Sequence, residues 1–203
     1  GKDVLNVENL TKSFEEFLFE NINFEIKRGE RVAIIGGNGT GKTTLLHKII
    51  ATTYKNTVVA APTGIAALNA GGVTIHSLFQ LPFASFLPTQ SAPPIVNEHL
   101  RFENRISLRK HFQMHKNKQQ LIRNMELLIV DEVSMLRADV LDAMDYMLQF
   151  IRRNHKPFGG VQVLFIGDLM QLPPVVKQEE WEVLKQYYKG MYFFQSEVIT
   201  KHP

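Results

Sequence analysis

The residues best equipped for chemistry are Gly36-Gly37-Asn38-Gly39-Thr40-Gly41-Lys42-Thr43-Thr44, which fit the spacing G-x-x-x-x-G-K-S/T. Glycines at these positions let successive backbone N–H groups turn inward around a phosphate without Cβ clashes. A helix that follows adds its free N-terminal donors and the positive end of its dipole. Lys42 would reach the β- and γ-phosphates, and the Thr43 hydroxyl would ligate Mg²⁺. A glycine-rich turn entering an ordinary helix is the plainer alternative. The flanks argue against it. RVAIIG (31–36) is a short apolar run that predicts a buried strand, and TTLLHKIIA (43–51) places Leu45, Leu46, Ile49 and Ile50 at helical spacing. The stretch therefore predicts binding of ATP or a similar nucleoside triphosphate with Mg²⁺.

Three further constellations lie downstream. Asp131-Glu132 closes the apolar run ELLIVD, and in parallel α/β sheets ligands sit outside the carboxyl ends of strands. Asp131 would hold Mg²⁺ through water, and Glu132 would orient and deprotonate an attacking water. GDLMQLPP (167–174) ends another apolar run: Gln171 could sense the γ-phosphate, while Asp168 could assist the metal site or brace the loop. In APTGIAALNAGGVTIHSLF, Pro62-Thr63-Gly64 at a strand-to-helix turn offers backbone donors and a hydroxyl to a phosphodiester. His76 and Phe79 could contact or stack on bases of a single strand. Each has a structural counterpart: helix-capping acids, a proline-bounded turn, a core histidine and a core aromatic. His111 and His115 lie four apart without a carboxylate at metal spacing and read as non-ligands.

The elements that position these groups are legible as alternating patterns. Residues 1–30 read as half-buried antiparallel strands, with Ile22, Phe24 and Ile26 alternating against polar neighbours. TVVAA (57–61), ELLIVD (126–131) and VQVLFIGD (161–168) read as buried strands. A helix over 138–154 carries Val140, Leu141, Met144, Met147, Leu148 and Ile151 on one face, with Asp139 and Asp142 early and Arg152 and Arg153 late to suit its dipole. A helix over 179–188 and a short MYFF strand follow. The fold class is α/β: a mostly parallel sheet with helices on both faces behind a small antiparallel β layer. The domain reading is 1–30 as the β segment and 31–203 as the nucleotide-binding core, with a loop-rich insertion at about 82–125.

The 203 residues, 44% hydrophobic, suit one domain with a substantial core. Cysteine is absent, which excludes a disulfide framework and thiolate metal sites. No apolar run approaches the roughly 18 residues of a membrane span, and no signal peptide is legible, so a reducing, cytoplasmic setting is expected. Net charge is +3, but residues 97–124 hold seven Lys/Arg against Glu98 and Glu103. This local excess suggests a polyanionic partner; a solvated basic face is the alternative.

From the loop onward, GTGKTT, APTGIAALNAGGVTIHSLF, LLIVDEVSML and GDLMQLPPV, in that order, resemble motifs of the first RecA-like domain of Pif/RecD-type superfamily-one DNA helicases. The resemblance covers about 39–203. It implies an ATP-driven, 5′-to-3′ motor dependent on single-stranded DNA, with Lys42, Thr43, Asp131, Glu132 and Gln171 in the roles above. It also implies strand contacts near Pro62, Thr63, Gly64, His76 and Phe79. Residues 1–38 look instead like the start of an ABC-type ATPase, in which the aromatic of KSF, here Phe14, stacks on adenine. No LSGGQ signature follows, so ABC function is unsupported. The chain reads as a hybrid with its seam in the phosphate loop, the pattern of an engineered or recombined chimera.

The helicase-like half stops at Pro203, before the second RecA-like domain that would supply an arginine finger. The resemblance therefore implies nucleotide and Mg²⁺ binding, weak or DNA-stimulated hydrolysis, and no unwinding by these residues alone. The alternative is a chimeric nucleotide-binding module without catalysis.

Overall fold

The front of the chain folds back on itself before the central sheet begins. In the computed structural model, which describes residues 3–13, 17–27, 30–37, 39–91, 93, 99–110 and 112–202, β1 (Asp3–Ser13) and β2 (Phe17–Lys27) pair antiparallel as a sheet of their own. Then come β3 (Val32–Ile35), α1 (Lys42–Thr52), β4 (Thr57–Ala61), α2 (Gly64–Asn69), β5 (Val73–Thr74) and α3 (Ile75–Phe79). A parallel pair, β6 (Ser85–Leu87) and β7 (Phe102–Asn104), leads to α4 (Arg105–Lys110) and α5 (Lys116–Asn124). The chain continues through β8 (Leu127–Val130), α6 (Ala138–Arg152), β9 (Gln162–Gly167), α7 (Gln178–Leu184) and α8 (Glu197–Lys201).

Five strands form one parallel sheet in the order β3-β9-β8-β4-β5. The apolar runs of β8 and β9 are continuous because both faces are covered. Leu127, Ile129, Leu164 and Ile166 pack with Leu46 and Ile49 of α1. Leu128, Val130, Val163 and Phe165 pack on the other side with Leu141, Met144 and Leu148 of α6. The expected α/β architecture is present. β3 departs from its expectation: it is an edge strand, and Ile35 is 51% exposed, so only one side of the run is covered.

Other differences have local causes. MYFF forms no strand: Tyr192 makes one isolated bridge to Arg137, and a 3₁₀ turn at Phe193–Gln195 follows. The helix expected to reach Tyr188 stops at Leu184. The insertion at 82–125 contains β6, β7, α4 and α5 rather than mainly loop. In β2, Ile26 is buried but Ile22 is 37% exposed, so the hairpin meets the sheet chiefly at its base, where Gln162 Nε2 also donates to the Lys27 carbonyl. Among the described residues no helix is long and apolar enough to cross a membrane.

Three acids of α6 do more than suit a dipole. Asp139, Asp142 and Asp145 are all buried, and each accepts backbone N–H groups from a peripheral segment. Asp139 takes the Phe86 N–H at 3.0 Å and a two-pronged pair from Arg137, whose guanidinium also reaches Ser85 and Glu180. Asp142 takes the Glu197 and Val198 N–H groups at the start of α8, and Asp145 takes Phe158 N–H at 2.6 Å. These bonds fasten β6, α8 and the 157–160 turn to one helix. They also satisfy carboxylates that would otherwise be costly to bury.

Burial pushes the Asp142 carboxyl up to about 6, against the opposing pull of the Val198 and Glu197 N–H groups. A folded-state pKa above the unfolded value of 3.8 means the native state holds the extra proton between the two values. Stability from this group is therefore present below about pH 4 and lost as pH rises through about 6. Urea unfolding at pH 4 and pH 7 should show Asp142→Asn gaining roughly 2–3 kcal/mol relative to the parent over that interval. A pH-independent difference would exclude this titration.

Candidate nucleotide and strand site

The carboxyl ends of β3, β9 and β8 lie side by side, in register Ile35↔Gly167 and Val130↔Phe165. From these ends come the glycine loop, Asp168 and Asp131-Glu132. Gly36 N–H donates to the Gly167 carbonyl at 3.2 Å, so the loop begins as an extension of the sheet. Gly39 and Gly41 then take positive φ, 79° and 86°, where a side chain would be strained. Gly41 is the N-cap of α1; no side chain caps this end and no acid occupies its first turn. The helix N-terminus is therefore free for an anion.

Lys42 Nζ donates to the Gly36 and Gly37 carbonyls at 2.7 and 2.8 Å, and the Thr40 hydroxyl donates to Gly37 O at 2.7 Å. The ammonium thus lies against the loop itself, and also acts on Asp131, Glu132 and Asp168. Burial raises the Asp131 pKa, partly offset by the Glu132 N–H, Lys42 and His47. Burial and then the Asp131 charge raise Glu132. Glu132 sits in the left-handed region, φ 51°, and its N–H donates to Asp131 Oδ1 at 2.9 Å. Asp168 is held below the usual carboxylate range by the Met170 N–H and by Gln171 Nε2. Gln171 is thereby tied to the loop base. Thr43 and Thr44 are exposed in the first turn of α1; Asn38 lies outside the described residues, as does Phe14.

These residues fit a magnesium nucleotide. Among the described residues no group of three His, Asp or Glu is gathered as a cage. The oxygens of Asp131 and Thr43 would share a cation with substrate phosphates.

The other strand ends carry the third constellation. Asp131 N–H donates to Ala60 O, linking the acid turn to β4, and Pro62-Thr63-Gly64 follows β4 directly. The Thr63 hydroxyl accepts Ala66 N–H as the cap of α2, and Gly64 is exposed with open space beside it. Phe79 does not belong to a strand-contacting surface. It is fully buried with Ile75 and Leu78, because positions 75, 78 and 79 share the inward face of α3. His76 is only part-buried, beside Leu81, Phe86 and the α6 residues Val140 and Ala143. Its ring stacks on Phe83, centroids 5.1 Å apart and planes 17° from parallel, and Phe83 is 89% exposed. Burial and the Arg137 guanidinium lower the His76 pKa, against the opposing pull of Asp139. Sequence reasoning passed over Phe83; an aromatic just after Pro82 was its only signal.

Gly167 sets the spacing of the whole cluster. A Cβ there would lie 2.9 Å from both the Val133 N and Cγ1 atoms, in the turn that carries Glu132. Titration with a fluorescent ATP analogue should show the Mg²⁺-dependent part of the affinity falling about tenfold in Gly167→Ala, because the acid turn must move by some tenths of an ångström. Unchanged Mg²⁺ dependence would mean that this approach does not position the acids.

Comparison with known proteins gives a consistent result. A family described as PIF1-like helicase matches residues 10–91 and 98–190. That match starts upstream of the glycine loop and marks no seam there. ATP-dependent DNA helicase PIF1 of Saccharomyces cerevisiae (strain YJM789) is 40% identical over 157 residues, covering 74% of this chain but 16% of the relative. The Homo sapiens PIF1 helicase is 31% identical, covering 75% of this chain and 21% of its own. Bacteroides Pif1 bound to single-stranded DNA superimposes with a TM-score of 0.70 at 44% identity, covering 83% of this chain and 35% of that one. Bacteroides Pif1 in complex with ADP-AlF3 and single-stranded DNA gives 0.72 at 43%, covering 85% and 36%. The chain thus spans about a fifth of its curated relatives.

Proposed function

This chain belongs to the PIF1-like helicase family, and on that premise we propose that it is the nucleotide-binding RecA-like part of a Pif-type 5′-to-3′ DNA helicase. It binds ATP with Mg²⁺, hydrolyses it slowly, turns over faster on single-stranded DNA and separates no strands by itself. The observation that carries this reading is the meeting of Lys42, Asp131, Glu132 and Asp168 at adjacent strand ends. Lys42 leaves the Gly36 and Gly37 carbonyls to bind the β- and γ-phosphates. Thr43 and Asp131 would hold Mg²⁺, which would supply positive charge to those phosphates. The raised pKa of Glu132 suits a group that accepts a proton from the attacking water. Gln171, anchored through Asp168, reports on the γ-phosphate side. Pro62, Thr63, Gly64, His76 and Phe83 meet the DNA strand.

Lys42 is the cation that acts on all three acids. A transition-state cation of the arginine-finger kind is worth about 10³–10⁵ in rate in related chemistry, so turnover is expected to be slow where none is engaged. Steady-state ATP hydrolysis with and without single-stranded DNA tests the reading. DNA-stimulated turnover abolished by Lys42→Ala and by Glu132→Gln is expected. No turnover, with ATP binding lost only in Lys42→Ala, would favour the alternative of a nucleotide-binding module without catalysis.

The hybrid reading of the front end rests on the letters of residues 1–38, with residues 31–203 as the core and Phe14 as an adenine platform. Phe14→Ala should weaken ATP much more than inorganic triphosphate. Equal losses for both ligands would remove Phe14 from the nucleotide site.

A further inference from the structure

The fold divides the cations of the basic segment into two groups. Lys118 Nζ donates to Ser77 O at 2.7 Å, and Arg123 donates to the Ile151 carbonyl and to Gln119. Those side chains tie helices together. Arg105, Arg109 and Lys110 of α4 instead line an open groove of about 570 Å³, together with Gln90, Ile106 and Tyr146. No residue of α4 is acidic.

Two arginines of this groove are held by aromatic rings. The Arg105 guanidinium lies 5.8 Å from the Tyr146 ring centre and that of Arg109 lies 5.5 Å from Phe150; the two rings stack on each other at 17°. A ring against one face of a guanidinium leaves its edge N–H donors, the part that grips a phosphate. Opposing charge is limited. Glu197 approaches Arg105 only to 4.0 Å and is paired with Lys201, while Asp145 is engaged with Phe158 N–H and Gln149. Among the described residues Arg109 and Lys110 make no ion pair.

Leu108, on the same helix, borders a neighbouring groove with Gln80, Pro82 and Arg101. Pro82 directly precedes Phe83, whose exposed ring stacks on His76. Glu103 also lines that groove, so positive charge there comes from Arg101 alone, while α4 supplies three cations to its own groove.

We propose that the α4 groove binds the phosphate backbone of the nucleic-acid strand that leaves the His76–Phe83 platform. The proposal rests on the strand-binding reading above. It extends that reading to a contact surface outside the Pro62–Gly64 and His76 contacts.

The test uses the 203-residue chain, a fluorescein-labelled oligodeoxythymidine and binding anisotropy at a series of salt concentrations. Arg109→Gln/Lys110→Gln alters exposed residues and should leave the circular dichroism unchanged. It is expected to weaken binding several-fold at low salt and to reduce the slope of log K against log salt by about 1.4, two phosphate contacts at about 0.7 each. Lys48→Gln/Lys156→Gln, which removes the same charge elsewhere, should leave the slope as it was. Phe83→Ala should weaken binding without changing the slope. A parent-like slope in Arg109→Gln/Lys110→Gln, or an equal drop in the Lys48/Lys156 control, overturns the groove while leaving strand binding intact. Failure of the parent chain to bind the oligonucleotide overturns both readings.

Discussion

The structure depends on how closely three chain segments can approach at the end of β9. Gly167 accepts the Gly36 N–H on one side, and on the other its missing side chain admits the Val133 turn. The glycine loop and the acid turn therefore hang from the same residue of an interior strand. Both faces of that strand are dry, with Leu164 and Ile166 against α1 and Val163 and Phe165 against α6. A close-packed interior transmits displacement instead of absorbing it, so the spacing of Lys42, Asp131 and Asp168 is fixed by the core beneath them.

The periphery is fastened differently. Asp139, Asp142 and Asp145 lie along α6 and receive N–H groups from three segments, two of them more than fifty positions away in sequence. Such buried carboxylates are costly without partners, so they reward one arrangement of β6, α8 and the 157–160 turn over looser ones. Arg137 serves the same purpose from the helix N-terminus, joining Ser85, Asp139 and Glu180. It also sits close enough to lower the His76 pKa. The insertion is thus anchored to the same helix that covers the sheet.

The acid turn and the Pro62-Thr63-Gly64 turn meet across one step of the sheet. β8 carries the acid pair, β4 carries Pro62-Thr63-Gly64, and the Asp131 N–H bond to Ala60 joins them. A change in the Asp131-Glu132 turn has a direct mechanical path to the neighbouring strand end. Family membership agrees with this layout, and the Bacteroides relative that holds both ADP-AlF3 and single-stranded DNA has the same fold over most of this chain.

The sequence by itself determined the sheet class, the glycine loop, the acid pair and the α6 core stripe, because these depend on local spacing: period two, period 3.6, and fixed offsets around Lys42. It could not tell that β3 is an edge strand, since an apolar run carries no record of its neighbours. Phe79 and Phe83 show the same limit beside His76. Both are phenylalanines near a histidine, and only packing on Ile75 and Leu78 sends one inward and leaves the other exposed. The α6 aspartates looked like dipole partners, yet their hydrogen bonds join residues more than fifty positions apart for Asp139 and Asp142. Long-range polar contacts of that kind have no sequence period, so tertiary structure alone decided them.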